Sequence, residues 1–259
     1  MFCKKNLILL FTAFVICESG FVDDLEECNI NDAQCQKDQL QSLITVMSKT
    51  GIPELGIQKI DPLKLSDVST SVLNFIDVTF TDVTLKGLQN CIVEKFALDI
   101  KNGRASMEKT CDLSVKSHYK IQSANRVVES LFGGHTVRGD GNGKIKIDKL
   151  HFKFGFVLSV ERRNGDIYLK FQFDKTDYSY DIGNLTFIAD NLYLGSEESS
   201  KLVMGLLNQN WNILMDSFGK PVMDNAVDMS HDILQKFFGS VPAKKFVDSD
   251  LSIYVKDEL

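Results

Sequence analysis

The residues of this chain that could do chemistry are few: four histidines, four cysteines beyond the N-terminal segment, and some acidic pairs. Nucleophilic hydrolysis would call for a Gly-x-Ser-x-Gly elbow and zinc hydrolysis for a His-Glu-x-x-His pair, and the sequence has neither. Asp23/Asp24 and Glu197/Glu198 sit in polar stretches and read as solvated charge. His118, His135, His151 and His231 do not combine with the cysteines at zinc-ligand spacing. The loop Asp140-Gly141-Asn142-Gly143 suggests a calcium loop, but aligned by its central glycine it puts Arg138 at the first ligand position and Lys149 at the twelfth. It reads instead as a hairpin turn. The chain is therefore expected not to be an enzyme, and to hold no cofactor and no metal.

Cysteine usage points to an oxidising compartment. Cys28, Cys35, Cys91 and Cys111 form an even set, which suggests two disulfides in one of three pairings. Cys28 with Cys35 would close a small loop before the first helix. Cys91 with Cys111 would brace two strands on either side of Asn102-Gly103. Asn184-Leu185-Thr186 is a glycosylation sequon. The last four residues, Lys256-Asp257-Glu258-Leu259, spell the endoplasmic-reticulum retention signal, so a fraction of the protein is expected in the ER lumen.

That compartment is consistent with the N-terminus. Lys4 and Lys5 precede an apolar run from Leu7 to Ile16, followed by small and polar residues at Cys17-Glu18-Ser19-Gly20. This is the layout of a secretory signal peptide over residues 1–19, too short in its apolar core to span a bilayer. Residues 20–259 are expected to form one domain, secreted and monomeric. Loss of the signal moves the net charge from −6 to about −7. A chain this acidic, without a basic stripe, is a poor partner for nucleic acid or an anionic membrane.

The elements that would position any site fall in three blocks. Asn31 and Asp32 are N-cap residues, and Leu40, Leu43, Ile44 and Met47 then recur at helical spacing until Gly51 and Pro53 stop the helix. Residues 51–65 read as irregular. From about Ser71 to Leu194 the period is two: Leu150, Phe152, Phe154, Phe156, Leu158 and Val160, then Ile167, Leu169, Phe171 and Phe173, joined by the hairpin signal Asn164-Gly165. Ile145 and Ile147 keep the alternation, but Asp148-Lys149 shifts its phase by one, which requires a bulge. The last third returns to helical spacing from Leu202 to Phe238. A single helix of that span would be about 55 Å long, and Gly219-Lys220-Pro221 is expected to bend or split it. Such a stripe needs a cover, and a curved sheet with one apolar face is the available partner.

Several short segments, taken in order, carry a resemblance. They are Cys28 and Cys35 before the first helix, Gly51-Ile52-Pro53-Glu54-Leu55 with Asp61-Pro62-Leu63, Gly139-Asp140-Gly141-Asn142-Gly143-Lys144-Ile145, Leu206-Leu207-Asn208-Gln209-Asn210-Trp211 and Val241-Pro242-Ala243-Lys244-Lys245-Phe246. Over nearly the whole mature chain the sequence resembles the insect takeout and juvenile hormone-binding protein family. Cys91/Cys111 is not part of that pattern. The resemblance implies an α+β fold, a long curved antiparallel sheet rolled around one long C-terminal helix and enclosing a hydrophobic tunnel. The ligand it implies is juvenile hormone, a terpenoid or a fatty-acid-like lipid. Phe152, Phe154, Phe156, Phe171 and Phe173 from the sheet and Trp211, Met215 and Phe218 from the helix are the expected lining. The same rings could simply pack against each other as core, because burial rewards both arrangements. In that alternative the tunnel is vestigial and closed, and the protein acts as a secreted or ER-lumenal interaction or accessory protein through its outer surface.

Overall fold

Asp32 caps the first helix by accepting the Cys35 N–H at 3.0 Å. Helix α1 (Ala33–Lys49) buries Leu40, Leu43, Ile44 and Met47 along one side and ends before Gly51, whose φ of 74° suits a residue without a side chain. The computed structural model describes residues 20–72, 76–123, 129–130 and 133–255; the side chains of residues 70–72, 217 and 218 lie outside that description. The expected signal peptide and the C-terminal tetrapeptide also lie outside the described residues.

The period-two region forms one nine-stranded antiparallel sheet. Its strands are β1 (Leu63–Lys64), β2 (Val68–Val72), β3 (Ile76–Lys86), β4 (Ile92–Asp99), β5 (Arg104–Gln122), β6 (Val137–Arg163), β7 (Asp166–Ala189), β8 (Leu192–Leu194) and β9 (Glu197–Glu198). β5 and β6 run the length of the sheet. β4 and β3 share the outer edge of β5, one at each end, and β7 and β8 share the outer edge of β6. The 27 residues of β6 amount to about 90 Å of extended chain, so the ribbon must curl to enclose anything.

Bulges supply that curl. Asp112 of β5 faces Asp148 and Lys149 of β6, where pairing jumps from Cys111↔Leu150 to Leu113↔Ile147. Lys149 takes a φ of 53°, and its N–H donates to the Asp112 carboxylate at 2.8 Å. The expected phase shift is this bulge. A second irregularity lies between Gly155↔Asp177 and Val157↔Gln172, where residues 173–176 of β7 loop out opposite Phe156. The Asn164-Gly165 hairpin also forms as expected, with Arg163 paired to Asp166.

Two expectations are corrected. The segment 139–144 is not a turn but part of β6, paired with residues 116–121 of β5. A Cβ on Gly139 would lie 2.9 Å from the Tyr119 ring, and one on Gly141 would lie 2.4 Å from the Asp190 carboxylate. These glycines admit close neighbours inside a strand rather than reversing the chain. The C-terminal helical stretch divides at Asn210, not at Gly219-Lys220-Pro221, giving α2 (Ser200–Gln209) and α3 (Trp211–Ser240). Asn210 ends α2 because its side chain donates to the Leu206 carbonyl at 2.8 Å, in competition with the helical backbone. Pro221 is carried inside α3. Gly219 leaves room for the Tyr180 hydroxyl, which would lie 2.4 Å from an added Cβ.

Both disulfides form, Cys28–Cys35 and Cys91–Cys111. The first anchors a clasp between the ends of the described chain. The Cys28 N–H donates to the Phe246 carbonyl at 3.1 Å, and the Asp248 N–H donates to the Cys28 carbonyl at 2.9 Å. The second lies beside α1, where Gln41 donates to the Cys91 carbonyl at 3.0 Å and accepts the Val93 N–H at 2.8 Å.

Candidate ligand-binding site

The concave face of the sheet is read from its register. Across β4–β5–β6–β7 the aligned residues Phe96, Met107, Phe154 and Tyr178 form one inward row, and Val93, Lys109, Phe152 and Tyr180 form the next. Further along, Leu85, Val115, Ile145 and Phe187 line up across β3–β5–β6–β7. The adjacent row, Thr84, Lys116, Lys144 and Ile188, belongs to the convex side.

The two ends of the concave face are filled differently. Toward the hairpin, Phe152, Phe154, Phe156 and Phe171 are all buried. Phe152 and Phe154 stack at 5.0 Å, Phe154 and Phe156 at 5.7 Å, and Phe171 meets Phe156 edge-on at 5.7 Å. Phe171 also lies 4.5 Å from Phe238 of α3, which with Phe237 and Phe246 closes this end by ring-to-ring contact. Toward the other end the row Leu85, Val115, Ile145 and Phe187 remains only half-buried. Helix α2 is tied to the sheet there through Asn208, whose amide accepts from and donates to the Phe187 backbone at 2.6 and 3.0 Å.

The expected lining residues are thus brought together in part. The five phenylalanines share the concave face. Trp211 and Met215 of α3 are half-buried and pack against the same core, as does Phe173. The side chain of Phe218 lies outside the described residues. Phe173 is carried by the looped-out segment of β7 onto α3, where it stacks on His231 at 4.6 Å. Burial pushes the His231 pKa down, and its Nε2 is buried with no hydrogen-bond partner among the described residues. On the same helix Asp224 accepts from Tyr178 and from Lys220, the latter at 2.8 Å, which binds α3 to β7. Lys220, and after it Tyr178, hold the Asp224 carboxyl below its usual range.

Lys109 is the residue that sequence reasoning missed. It occupies an inward position between Met107 and Cys111, both buried. The signal was present: Ala105, Met107 and Cys111 alternate in phase, and Lys109 is the one charged residue in that phase. Its Nζ lies 5.6 Å from the centroid of the Phe154 ring.

On the convex side, Glu94, Glu108 and His151 come within metal-ligand reach of one another. Thr110 donates to Glu94 at 2.6 Å, and Lys95 and Lys153 lie 3.8 and 3.7 Å from Glu108, so the cluster is held by its own charges. The sequon residue Asn184 is exposed on β7, 3.3 Å from the Asp148 carboxylate. No helix among the described residues is long and apolar enough to cross a membrane.

A curled antiparallel half-barrel with its helices on the concave side has counterparts among known proteins. The family model described as haemolymph juvenile hormone binding protein matches residues 7–248. The chain belongs to that family. Within it, the chain is similar to the circadian clock-controlled protein daywake of Drosophila melanogaster, at 21% identity over 244 residues that span 89% of this chain and 90% of that protein. The daywake of Drosophila yakuba is 22% identical over the same coverage. Among solved structures, Epiphyas postvittana Takeout 1 superposes with a TM-score of 0.73 at 25% identity, covering 86% of this chain and all of the other. This juvenile-hormone-binding-family chain therefore has the takeout fold, and its family is one of binding proteins.

Proposed function

We propose that residues 20–259 form, as one domain, a secreted carrier that holds a small hydrophobic ligand between the concave face of the sheet and helices α2 and α3. Juvenile hormone, a terpenoid or a fatty-acid-like lipid would each suit that space. The observation that carries this reading is the row Leu85, Val115, Ile145 and Phe187. Four large apolar side chains, in register on the concave face of four strands, remain only half-buried. Apolar surface of this kind gains about 25 cal/mol for each Å² that a ligand covers. The phenylalanine ladder then forms the closed end of the site, with Phe152, Phe154, Trp211 and Met215 facing the ligand and Phe156 and Phe171 supporting them.

A second reading draws on the same ladder. Ring-to-ring contacts run from Phe156 through Phe171 and Phe238 to Phe246 at its end of the face. A chain filled in this way throughout would act as an accessory protein through its outer surface. Native mass spectrometry of the secreted protein, with organic extraction, separates the two. A stoichiometric lipid or terpenoid supports the carrier. An empty protein that also fails to take up a fluorescent fatty-acid probe overturns it. The proposed partial retention in the ER through Lys256–Leu259 has its own test, since secretion left unchanged by Leu259→Ala would overturn it.

A further inference from the structure

We propose that Lys109 is the polar anchor of this interior and that it selects a ligand with an anionic head, namely a carboxylate. The inference rests on the carrier reading and adds a ligand class to it.

Lys109 is on the concave face by register, aligned with Val93 on one side and with Phe152 and then Tyr180 on the other. Val93 and Phe152 are almost completely buried. Among the described residues no carboxylate and no hydrogen-bond acceptor contacts its ammonium. Its ammonium instead faces the Phe154 ring, 5.6 Å from the centroid. A cation over one ring face is attracted far less strongly than by an anion. Nearby carboxylates do not supply the missing charge. Glu94 and Glu108 are engaged on the convex side with His151, and Asp224 is engaged by Lys220 and Tyr178.

Burial alone lowers the Lys109 pKa to about 8. Part of the residue's surface nevertheless stays open. A half-buried ammonium on the concave face, without an anionic partner, stands where the head of a ligand could reach it. A lysine buried only to fill volume would have been replaceable by Met or Leu without the cost of desolvating an ammonium. What the position offers is three N–H donors and a positive charge among apolar neighbours on the concave face. A fatty-acid-like chain with its carboxylate on Lys109 would satisfy that charge, with its tail running toward the half-buried row of Leu85, Val115, Ile145 and Phe187. A neutral ester of the same length would leave the ammonium unpaired.

The test compares cis-parinaric acid with its methyl ester by fluorescence titration at pH 6.5, on wild type, Lys109→Met and Lys109→Arg. A charge-assisted hydrogen bond predicts that wild type prefers the acid by about tenfold or more. Lys109→Met should lose that preference while keeping its affinity for the ester, and Lys109→Arg should retain it. Thermal unfolding of each variant reports that it is folded. Equal binding of acid and ester by wild type, or a preference that survives in Lys109→Met, overturns the anchor and leaves the carrier standing. If wild type binds neither probe, the carrier reading fails and the anchor falls with it.

Discussion

Taking an ammonium out of water disfavours its charged form, which is why burial moves Lys109 from 10.5 to about 8. In the unfolded chain the group stays protonated up to 10.5. Between about pH 8 and 10.5 the unfolded chain therefore binds more protons than the folded one, and stability rises with pH across that window. Below pH 8 the cost is constant and fully present. Lys109→Met removes it, so the ligand-free variant is expected to be more stable than wild type by about 2–3 kcal/mol at pH 7. The gap should close as the pH approaches 10.5. Urea unfolding of both proteins at pH 7, 9 and 10 measures this, and a constant difference would mean that the ammonium is hydrated in the folded state. Tyr119, whose phenol is raised to about 12 mainly by burial, is common to both proteins and cancels in the difference. The anchor would then be a position where stability is given up for selectivity.

Among the elements, the crossing of β5, β6 and the turn after β3 is the least tolerant of change. Gly87 has a φ of 111°, and a Cβ placed there would sit 2.2 Å from the carbonyl oxygen of Asp112, the β5 residue opposite the bulge of β6. The buried Asp61 carboxylate accepts the Gly87 and Gln89 N–H groups at 3.0 and 2.9 Å and holds this turn against the bulge. Gly87→Ala combines a strained backbone with a clash against backbone atoms that cannot swing away. It is expected to lose about 2–4 kcal/mol in chemical unfolding, whereas Gly165→Ala, with nothing near its Cβ, should lose less. What could be read from the sequence at this scale was whatever is local. The cap at Asp32, the Asn164-Gly165 turn and the slipped phase at Asp148-Lys149 each depend on a few adjacent residues. The glycines at 139 and 141 were misread because glycine serves both turns and close approaches, and Tyr119 and Asp190, which decide between the two, are distant in sequence. The helix break was placed at a proline because proline is the stronger local signal, yet the Asn210 side chain ended the helix. Lys109 escaped notice because the phase of β5 had to be known before one lysine in it could stand out.

For the whole molecule, two covalent ties brace the fold, one between the N-terminal segment and α1 and one within the sheet. Cys91–Cys111 joins the residue before β4 to the middle of β5 across 20 residues, next to the Gln41 contacts of α1. The paired change Cys91→Ser with Cys111→Ser is expected to lower stability by about 3 kcal/mol through the larger freedom of the unfolded chain. It should also loosen α1, and hydrogen exchange of the α1 amides would show this as faster exchange than in Cys28→Ser/Cys35→Ser. Protection of α1 unchanged would mean that hydrophobic contacts alone hold it. The rolled sheet and its paired helical segments were legible in the sequence from periodicity. Which end of the concave face is packed ring to ring and which stays half-buried was not, because a run of phenylalanines has the same pattern whether its rings meet each other or a ligand.

The bulge at Asp112 and Lys149 also bears on how such a chain can change length over time. Between it and the looped-out residues 173–176, β6 and β7 are paired with alternate side chains facing in and out. A single inserted or deleted residue there turns every later side chain to the opposite face unless a new bulge absorbs it. Insertions and deletions that survive in this stretch should therefore come in twos, or as matched changes in both strands, and single-residue differences between relatives should gather at the bulges and beyond the strand ends.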